Sequence, residues 1–440
     1  MAEGVWLEGL SADLVGEPLP PTLLEWKHTL PDELREVCNR IATAGGGVWL
    51  VGGSVREAIL GNPWVDIDLA TSLKPPKVTG IFPRAIPTGE QYGTVTARIA
   101  ESELQFEVTT LRSEGTYGDG RRPDEVAFGT SLEEDLSRRD FTINAMAIDL
   151  ARNVLIDPYD GRMDLENHCL RAVGNARERL GEDGLRLLRA YRFMDRGEKG
   201  VWQPDDALSS ALIECGTMLE NVSSERIWAE LQRILSGSNA AQILERMRID
   251  GMLSRILPGW DADISTQHSI KSPEVDVIIS RLVLLASDIS HERWRRLEHD
   301  LRAITLSNRD RKRFMELHRL IGHLPSNTAE VRRYRAVVGE MIDSHLAIET
   351  ALNPINAESA IKLIEDIPSL KAGNDPLVDG HLLANETDLP SGRRLGRLKQ
   401  WLFRLQVEQD LSNSEEVLSL LNALDWEKTN PDDWPDMVWP

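Results

Sequence analysis

The feature that most constrains this chain is a change of pattern near Asp164. Before it, short apolar runs rich in β-branched residues alternate with helical spacings and glycine turns. After it, strand signals almost vanish, and helical periodicity dominates to about Leu421. A mixed α/β head followed by a long all-helical region is the simplest architecture that satisfies both halves. Single cores rarely grow past about 250–300 residues, so a chain of 440 residues divides into several packed units. The pattern predicts a Pro- and Gly-rich, loosely ordered extension over 1–31 and a head over 32–164. Helical units follow over 165–240 and 241–371, and after a break at Lys371–Pro376 a last one spans 372–440.

Within the head, Leu34, Val37 and Ile41 predict a helix over Asp32–Ala44, closed by Gly45-Gly46-Gly47. Val48–Val51 reads as a buried strand. The turn Gly52-Gly53-Ser54 leads into a helix over Val55–Leu60, ended by Gly61, and Val65–Ala70 reads as a second strand. Further strands are expected at Thr94–Ile99 and Gln105–Thr110. Glu114–Pro123, with three glycines, reads as a mobile loop. Local pattern leaves Arg139–Asp149 open between helix and strand, and Asp157–Gly161 (DPYDG) is a turn.

The chemistry gathers in this head. Asp66 and Asp68 flank Ile67, and in a strand residues i and i+2 face the same way. Two carboxylates would project together while Ile67 and Leu69 enter the core. Like charges so close repel unless a cation lies between them, and hard oxygen ligands in a partly open site suit Mg²⁺. About ten residues upstream, Gly52-Gly53-Ser54 turns the chain from strand to helix and offers backbone N–H groups to phosphate. Arg56 can add a charge-assisted contact to a triphosphate. Glu107, on a later strand, is a third carboxylate able to neighbour the pair and assist the metal or an incoming hydroxyl. Such a set suits in-line attack by a hydroxyl on an α-phosphate, where positioning and charge compensation carry the rate.

Composition bounds the partners. The formal net charge is −21, which by itself argues against a polyanionic ligand, but binding responds to patches rather than sums. His291–Phe314 holds eight Arg/Lys against four Asp/Glu, and Ser391–Arg404 holds five basic residues and no acidic one. Cys38, Cys169 and Cys215 form no CxxC, which points to reduced thiols rather than zinc or disulfides. No apolar run reaches the length of a membrane helix, and the N-terminus lacks the basic start of a secretory signal. A cytoplasmic enzyme with no membrane contact and no protein partner is expected. The acidic C-terminus (DWEKTNPDDWPDMVWP) is either packed through Trp426, Trp434 and Trp439 or disordered.

Taken together, GGSVREAILG, DIDLAT, FEVTTLR, RRPDEVAF, SLEEDLSRRDFTINAMA, DPYDG and GEDGLRLLRAYRF resemble, in order and spacing, the class II tRNA nucleotidyltransferases. That group contains CCA-adding enzymes and bacterial poly(A) polymerases. The resemblance is dense from about Gly45 to Phe193 and thinner through the helical half, where ITLSNRDRKRF and GHLLANETDLPSGRRLGRLKQWL look like the family's body and tail. It implies a polymerase-β-like nucleotidyltransferase head followed by helical neck, body and tail. It implies template-independent addition of C and A to the 3′ end of tRNA, from CTP and ATP, with Mg²⁺. It assigns Gly53, Ser54 and Arg56 to the nucleotide phosphates, Asp66 and Asp68 to metal, and Arg139 and Asp140 to nucleotide contacts. Glu182-Asp183-Gly184-Leu185-Arg186 matches the family's nucleotide-recognition motif. Asp183 and Arg186, three apart, are expected to share a helix face. A carboxylate accepts from the amino group that cytosine and adenine both carry, and a guanidinium donates to their ring acceptors. Guanine and uracil present the opposite polarity. Arg189 and Arg192 continue the stripe toward phosphates or the RNA end. Arg121 and Arg122 lie in the glycine-rich loop that the family links to switching from C to A, and Arg393, Arg394, Arg397 and Lys399 are the expected RNA contacts of the tail. The departure from the family is Glu57, where an Asp is usual.

Four alternatives compete. An A-only enzyme acting on CC-ended tRNA would share every motif. A poly(A) polymerase would carry a dense basic cluster in the region occupied here by Lys74–Gly89, which lacks one. A metal-dependent phosphohydrolase would need further ligands around His299-Asp300, which reads instead as a helix surface. A non-catalytic RNA-binding relative would have lost a metal carboxylate, and both are present.

Overall fold

The computed structural model describes residues 5–89, 93–99, 102–114, 126–129, 131–260, 263–270 and 275–440. The chain forms two compact units, Met1–Ile256 and Leu257–Pro440.

The first unit is built on a mixed sheet. Its strands are β1 (Glu17–Pro18), β2 (Val48–Val51), β3 (Asp68–Thr71), β4 (Ile86–Gly89), β5 (Thr94–Arg98), β6 (Gln105–Thr110), β7 (Arg112–Glu114), β8 (Val126–Phe128), β9 (Ala147–Asp149) and β10 (Val154–Ile156). Eight of them form one sheet in the order β1-β10-β9-β2-β3-β6-β5-β4, and β7 and β8 pair separately. β3 and β6 run parallel; the other pairs in the large sheet are antiparallel. Trp49, Val51, Ala70, Leu132, Leu136, Ala147 and Ile156 form a buried cluster between sheet and helices. β2 and β6 form as read from the sequence. Arg139–Asp149 resolves into a short 3₁₀ turn at Thr142–Asn144 followed by β9.

Two expectations are corrected. Residues 5–31 are not loose. β1 closes the free edge of β10, Asp13 Oδ1 accepts the N–H groups of Leu132 and Glu133 at 2.9 and 3.3 Å, and Leu23 and Trp26 are buried on the helix Pro21–Lys27. Proline composition had suggested looseness, but an open strand edge and two apolar side chains anchor the segment. The strand expected at Val65–Ala70 starts only at Asp68. β2 ends at Val51, and Gly52 turns the chain away, so residues 65–67 have no ladder partner on that side. The alternation persists without the ladder, with Ile67 and Leu69 in the core and Asp66 exposed.

Beyond the sheet the first unit is helical, with helices at Ala176–Glu182, Leu185–Met194, Asp206–Glu214, Ser224–Leu235 and Ala240–Ile249. One two-residue parallel pairing, Cys169–Leu170 with Gln203–Pro204, interrupts them.

The second unit is helical throughout its described residues. Its acidic C-terminal segment is packed. Trp434 is buried with Leu395, Leu398 and Leu402 of the helix Arg393–Gln409, and Trp439 with Leu320, Tyr334 and Val338. Trp426 is partly buried against the first of these clusters. His299 is exposed on the helix Trp294–Ala303, a helix surface as expected. No helix among the described residues is long and apolar enough to cross a membrane.

Candidate active site

The site begins with a turn. Gly52 adopts φ 66°, ψ −129°, a region that only glycine occupies without strain. A side chain here would also meet Arg139 Nη1 at 2.9 Å. Gly52, more than Gly53, is therefore the glycine this turn requires. Ser54 follows, 7% exposed. Its hydroxyl donates to the Asp66 carbonyl at 3.0 Å and accepts the Asp68 N–H at 2.9 Å. These are the backbone groups that the missing ladder would have satisfied. One hydroxyl thus pins the loop that carries both carboxylates to the turn that offers N–H groups.

Glu107 lies beside Asp68, its register partner across the parallel pair β3–β6. Burial, and then the Glu107 charge, hold the Asp68 carboxyl above the usual carboxylate range; Asp66 adds to the rise and Arg139 opposes it. The charges of Glu107 and Asp66 both disfavour the ionised form of Asp68, and a divalent cation relieves such repulsion. Among the described residues no group of three or more His, Cys, Asp or Glu side chains is arranged to hold a metal ion. An open site of one or two carboxylates, completed by substrate oxygens and water, is the kind that Mg²⁺ uses.

Cationic groups line the other walls. Arg56 donates from Nε to Glu57 at 2.8 Å and from Nη1 to the Asn144 side chain. Arg139 bridges the Asn144 carbonyl and the buried Asp135 at 3.2 and 3.0 Å. Arg189 grips Asp140 with Nε at 2.7 Å and with Nη2. Burial works against the Asp140 charge, but Arg189 and the donors from Asn144 and Phe141 outweigh it and lower its pKa to about 2. The ring of Phe193 gathers the guanidinium groups of Arg56, Arg189 and Arg192 at 5.0, 5.3 and 4.5 Å.

The recognition segment differs from its expected form. Asp183 and Arg186 do not share a helix. The chain breaks between Ala176–Glu182 and Leu185–Met194, and Asp183 sits extended at the junction, φ −146°. Gly184 lies so close to the Met218 carbonyl, 2.3 Å from where a Cβ would be, that any other residue would clash. Asp183 Oδ1 caps the second helix by accepting the Leu185 N–H at 3.0 Å. Arg186, 8% exposed, donates to the carbonyls of Arg179 and Arg138 at 2.8 and 2.9 Å and to Glu182. Glu182 stands behind Arg186 rather than on the cleft wall. Arg186, Arg189 and Arg192 do form the expected stripe on Leu185–Met194.

These residues line one cleft of about 810 Å³, within the range of small-ligand sites. It brings together Gly53, Ser54, Arg56, Asp66, Asp68, Glu107, Arg139, Asp140, Asp183, Arg186, Arg189 and Arg192. Nine arginines face six carboxylates around it, so in a chain of charge −21 this wall suits a polyanion. Sequence reasoning missed Phe193, Asn144, Arg226 and Arg233, which also line it. Phe193 ends the quoted GEDGLRLLRAYRF run, and its position among three arginines was the available signal. Arg121 and Arg122 lie outside the described residues.

Arg393, Arg394 and Arg397 sit on the helix Arg393–Gln409 of the second unit, beside its C-terminal segment, with Arg393 exposed. Arg393 pairs with Asp432 at 2.6 Å, Arg394 donates to the carbonyls of Trp426 and Glu427, and Arg397 holds Asp436 and the Pro431 and Trp434 carbonyls. Lys399 is half-buried on the same helix.

A polymerase-β-like head of mixed sheet, with clustered carboxylates facing an arginine-rich cleft and a mostly helical remainder, defines a nucleotidyltransferase. A family model described as "Poly A polymerase head domain" matches residues 48–171. One described as "Probable RNA and SrmB- binding site of polymerase A" matches 203–264. The chain is 33% identical over 393 residues to the CCA-adding enzyme of Lactobacillus johnsonii, covering 87% of this chain and 94% of that one. To the CCA-adding enzyme of Enterococcus faecalis it is 33% identical over 413 residues, covering 89% and 96%. The Bacillus stearothermophilus CCA-adding enzyme, solved in complex with CTP, superposes with a TM-score of 0.67 at 25% identity over 92% of this chain and 98% of that one. The chain belongs to the CCA-adding enzyme family.

Proposed function

We propose that this protein adds C and A to the 3′ end of tRNA from CTP and ATP, without a nucleic acid template, and so builds or repairs the CCA end. The observation that carries this reading is one cleft in which Asp66, Asp68 and Glu107 face Arg186 and Asp183. The first three residues can serve phosphoryl chemistry, and the last two can read a base.

In this reading Asp66 and Asp68 hold Mg²⁺, which when bound neutralises charge on the α-phosphate and on the attacking and leaving oxygens. Glu107 raises the demand of Asp68 for a cation and in this reading orients the tRNA 3′ hydroxyl. The turn at Gly52–Ser54 and Arg56 bind the triphosphate. Ser54 acts mainly by holding the carboxylate loop. Arg139 and Asp140 contact the nucleotide from the side, and Arg189 and Arg192 counter phosphate charge. Asp183 accepts the exocyclic amino group of cytosine or adenine, and Arg186 donates to the ring acceptor. Residues 165–240 are read as neck, 241–371 as body and 372–440 as the RNA-binding tail, acting in the cytoplasm.

The test uses labelled tRNAs ending before CCA, after C and after CC, with Mg²⁺ and CTP, ATP or both. Ordered addition of C, C and A is expected. Incorporation on none of the three refutes the reading. Addition of A alone, strictly on the CC-ended tRNA, selects the A-adding subtype, and unlimited A addition selects a poly(A) polymerase.

A further inference from the structure

Arg226 lies within residues 203–264, matched by the second family model, and it lines the cleft beside the recognition residues. It projects from the first turn of Ser224–Leu235, and its Nη2 donates to Asp183 Oδ2 at 2.8 Å. The other oxygen of Asp183 accepts the Leu185 N–H at 3.0 Å. The carboxylate is therefore held at both ends, by a charge on one oxygen and by a helix N-terminus on the other. One turn further along, Glu230, 3% exposed, lies 3.0 Å from Nε of Arg192 and pairs with Arg233 at 3.0 Å. One face of a single helix thus braces two residues of the cleft.

We propose that Arg226 is a positioning residue for base choice, fixing the direction in which the Asp183 carboxylate presents its lone pairs to the incoming base. This rests on the reading of Asp183 as the acceptor of the exocyclic amino group. An ionised carboxylate accepts and does not donate, so it can distinguish an amino group from a carbonyl only while it faces the base edge. Each oxygen keeps a further lone pair after its contact with Arg226 or Leu185, and the amino group takes one of these. Asp183 occupies an extended junction rather than a helix, so the direction of its carboxyl group is set by its two contacts, the Leu185 N–H on one oxygen and the Arg226 guanidinium on the other. Without Arg226 only the Leu185 N–H holds the carboxylate, and its second oxygen pivots toward solvent, which reaches it already at 19% exposure. The carbonyl of uracil or guanine then meets no fixed negative charge. The carboxylates at Asp66, Asp68 and Glu107 lie on other elements, so the phosphoryl chemistry is left in place.

The experiment compares wild type, Arg226→Ala, Arg226→Lys and Asp183→Ala. It reads kcat and KM for CTP against UTP on tRNA lacking CCA, and for ATP against GTP on CC-ended tRNA. Loss of one charge-assisted contact in a recognition site corresponds to about tenfold or more. Arg226→Ala is expected to reduce both kcat/KM ratios by about that factor, through a higher KM for the correct nucleotide with kcat little changed. Arg226→Lys, which keeps a cation but not the planar fork, should recover part of the ratio. Unchanged ratios in Arg226→Ala, alongside lost discrimination in Asp183→Ala, overturn the proposal and leave the acceptor reading standing. Unchanged ratios in Asp183→Ala overturn the acceptor reading and the proposal with it. Should Arg226→Ala fail to fold, Arg226→Gln supplies the same ratios under the same criteria.

Discussion

Replacing Arg189 by Met tests the buried pair at the back of the cleft. Asp140 is 7% exposed and its pKa is lowered from 3.8 to about 2. At about 1.4 kcal/mol per pH unit, that gap is worth about 2.5 kcal/mol. The folded-state value lies below the unfolded one. The contribution is therefore fully present above about pH 4 and is lost as the pH falls through about 2. Arg189→Met leaves the Asn144 and Phe141 donors in place at 3.0 and 2.9 Å but removes the cation. Burial, the largest influence on this carboxyl, then pushes its pKa upward. Stranding one partner of a buried ion pair costs about 3–5 kcal/mol. Urea unfolding at pH 7, 5 and 3.5 should show a deficit of that size at pH 7. It should shrink toward pH 3.5, where the stranded carboxylate is neutralised by a proton. The double variant Asp140→Asn/Arg189→Met should recover most of the loss. A deficit below about 1 kcal/mol at pH 7, or one that does not narrow on acidification, refutes the account of the pair.

Asp68→Ala should abolish nucleotide addition while circular dichroism and melting remain those of the wild type; residual turnover near the wild-type rate would show that the carboxylate pair is not the catalytic centre. Chelation by EDTA should stop addition and Mg²⁺ should restore it, whereas activity that persists after exhaustive chelation would count against a metal role for Asp66 and Asp68. Gly52→Ala forces a side chain into a φ of 66° and against Arg139; it should cost about 1–3 kcal/mol and lower kcat, and a fully stable, fully active variant would contradict the turn geometry. Trp434→Ala should destabilise the second unit by about 3–5 kcal/mol, read as a lower melting temperature, and an unchanged melting curve would mean that the C-terminal segment is not part of that core.

The head was legible because its signals are local. Apolar runs of four to six residues fixed β2 and β6, and a glycine pair followed by an arginine fixed the phosphate turn. Where the sequence misled, a distant partner decided the outcome. Whether residues 65–67 pair depends on where β2 ends, and the hydroxyl that replaces the ladder belongs to Ser54, twelve residues before Asp66. The N-terminal extension reads as loose from its prolines because the edge of β10 that holds it lies nearly 140 residues away. Helical spacing alone placed Asp183 and Arg186 on one face; the extended backbone of Asp183, φ −146°, ψ 107°, ends the first helix between them. Arg226 was invisible because only the fold brings it to Asp183.

The C-terminal segment changes how the charge of this chain is to be counted. Read along the sequence, Arg393, Arg394 and Arg397 are a concentrated positive stretch in an acidic protein. In the fold, Asp432 pairs with the exposed Arg393, Asp436 with Arg397, and carbonyl oxygens accept from Arg394 and Arg397, while Trp434 and Trp439 anchor the segment in the core. Seen from solvent, that helix shows less free positive charge than its sequence implies, while Arg393 stays 77% exposed. A phosphate approaching it meets a competitor tethered to the same chain, present at high effective concentration however dilute the protein.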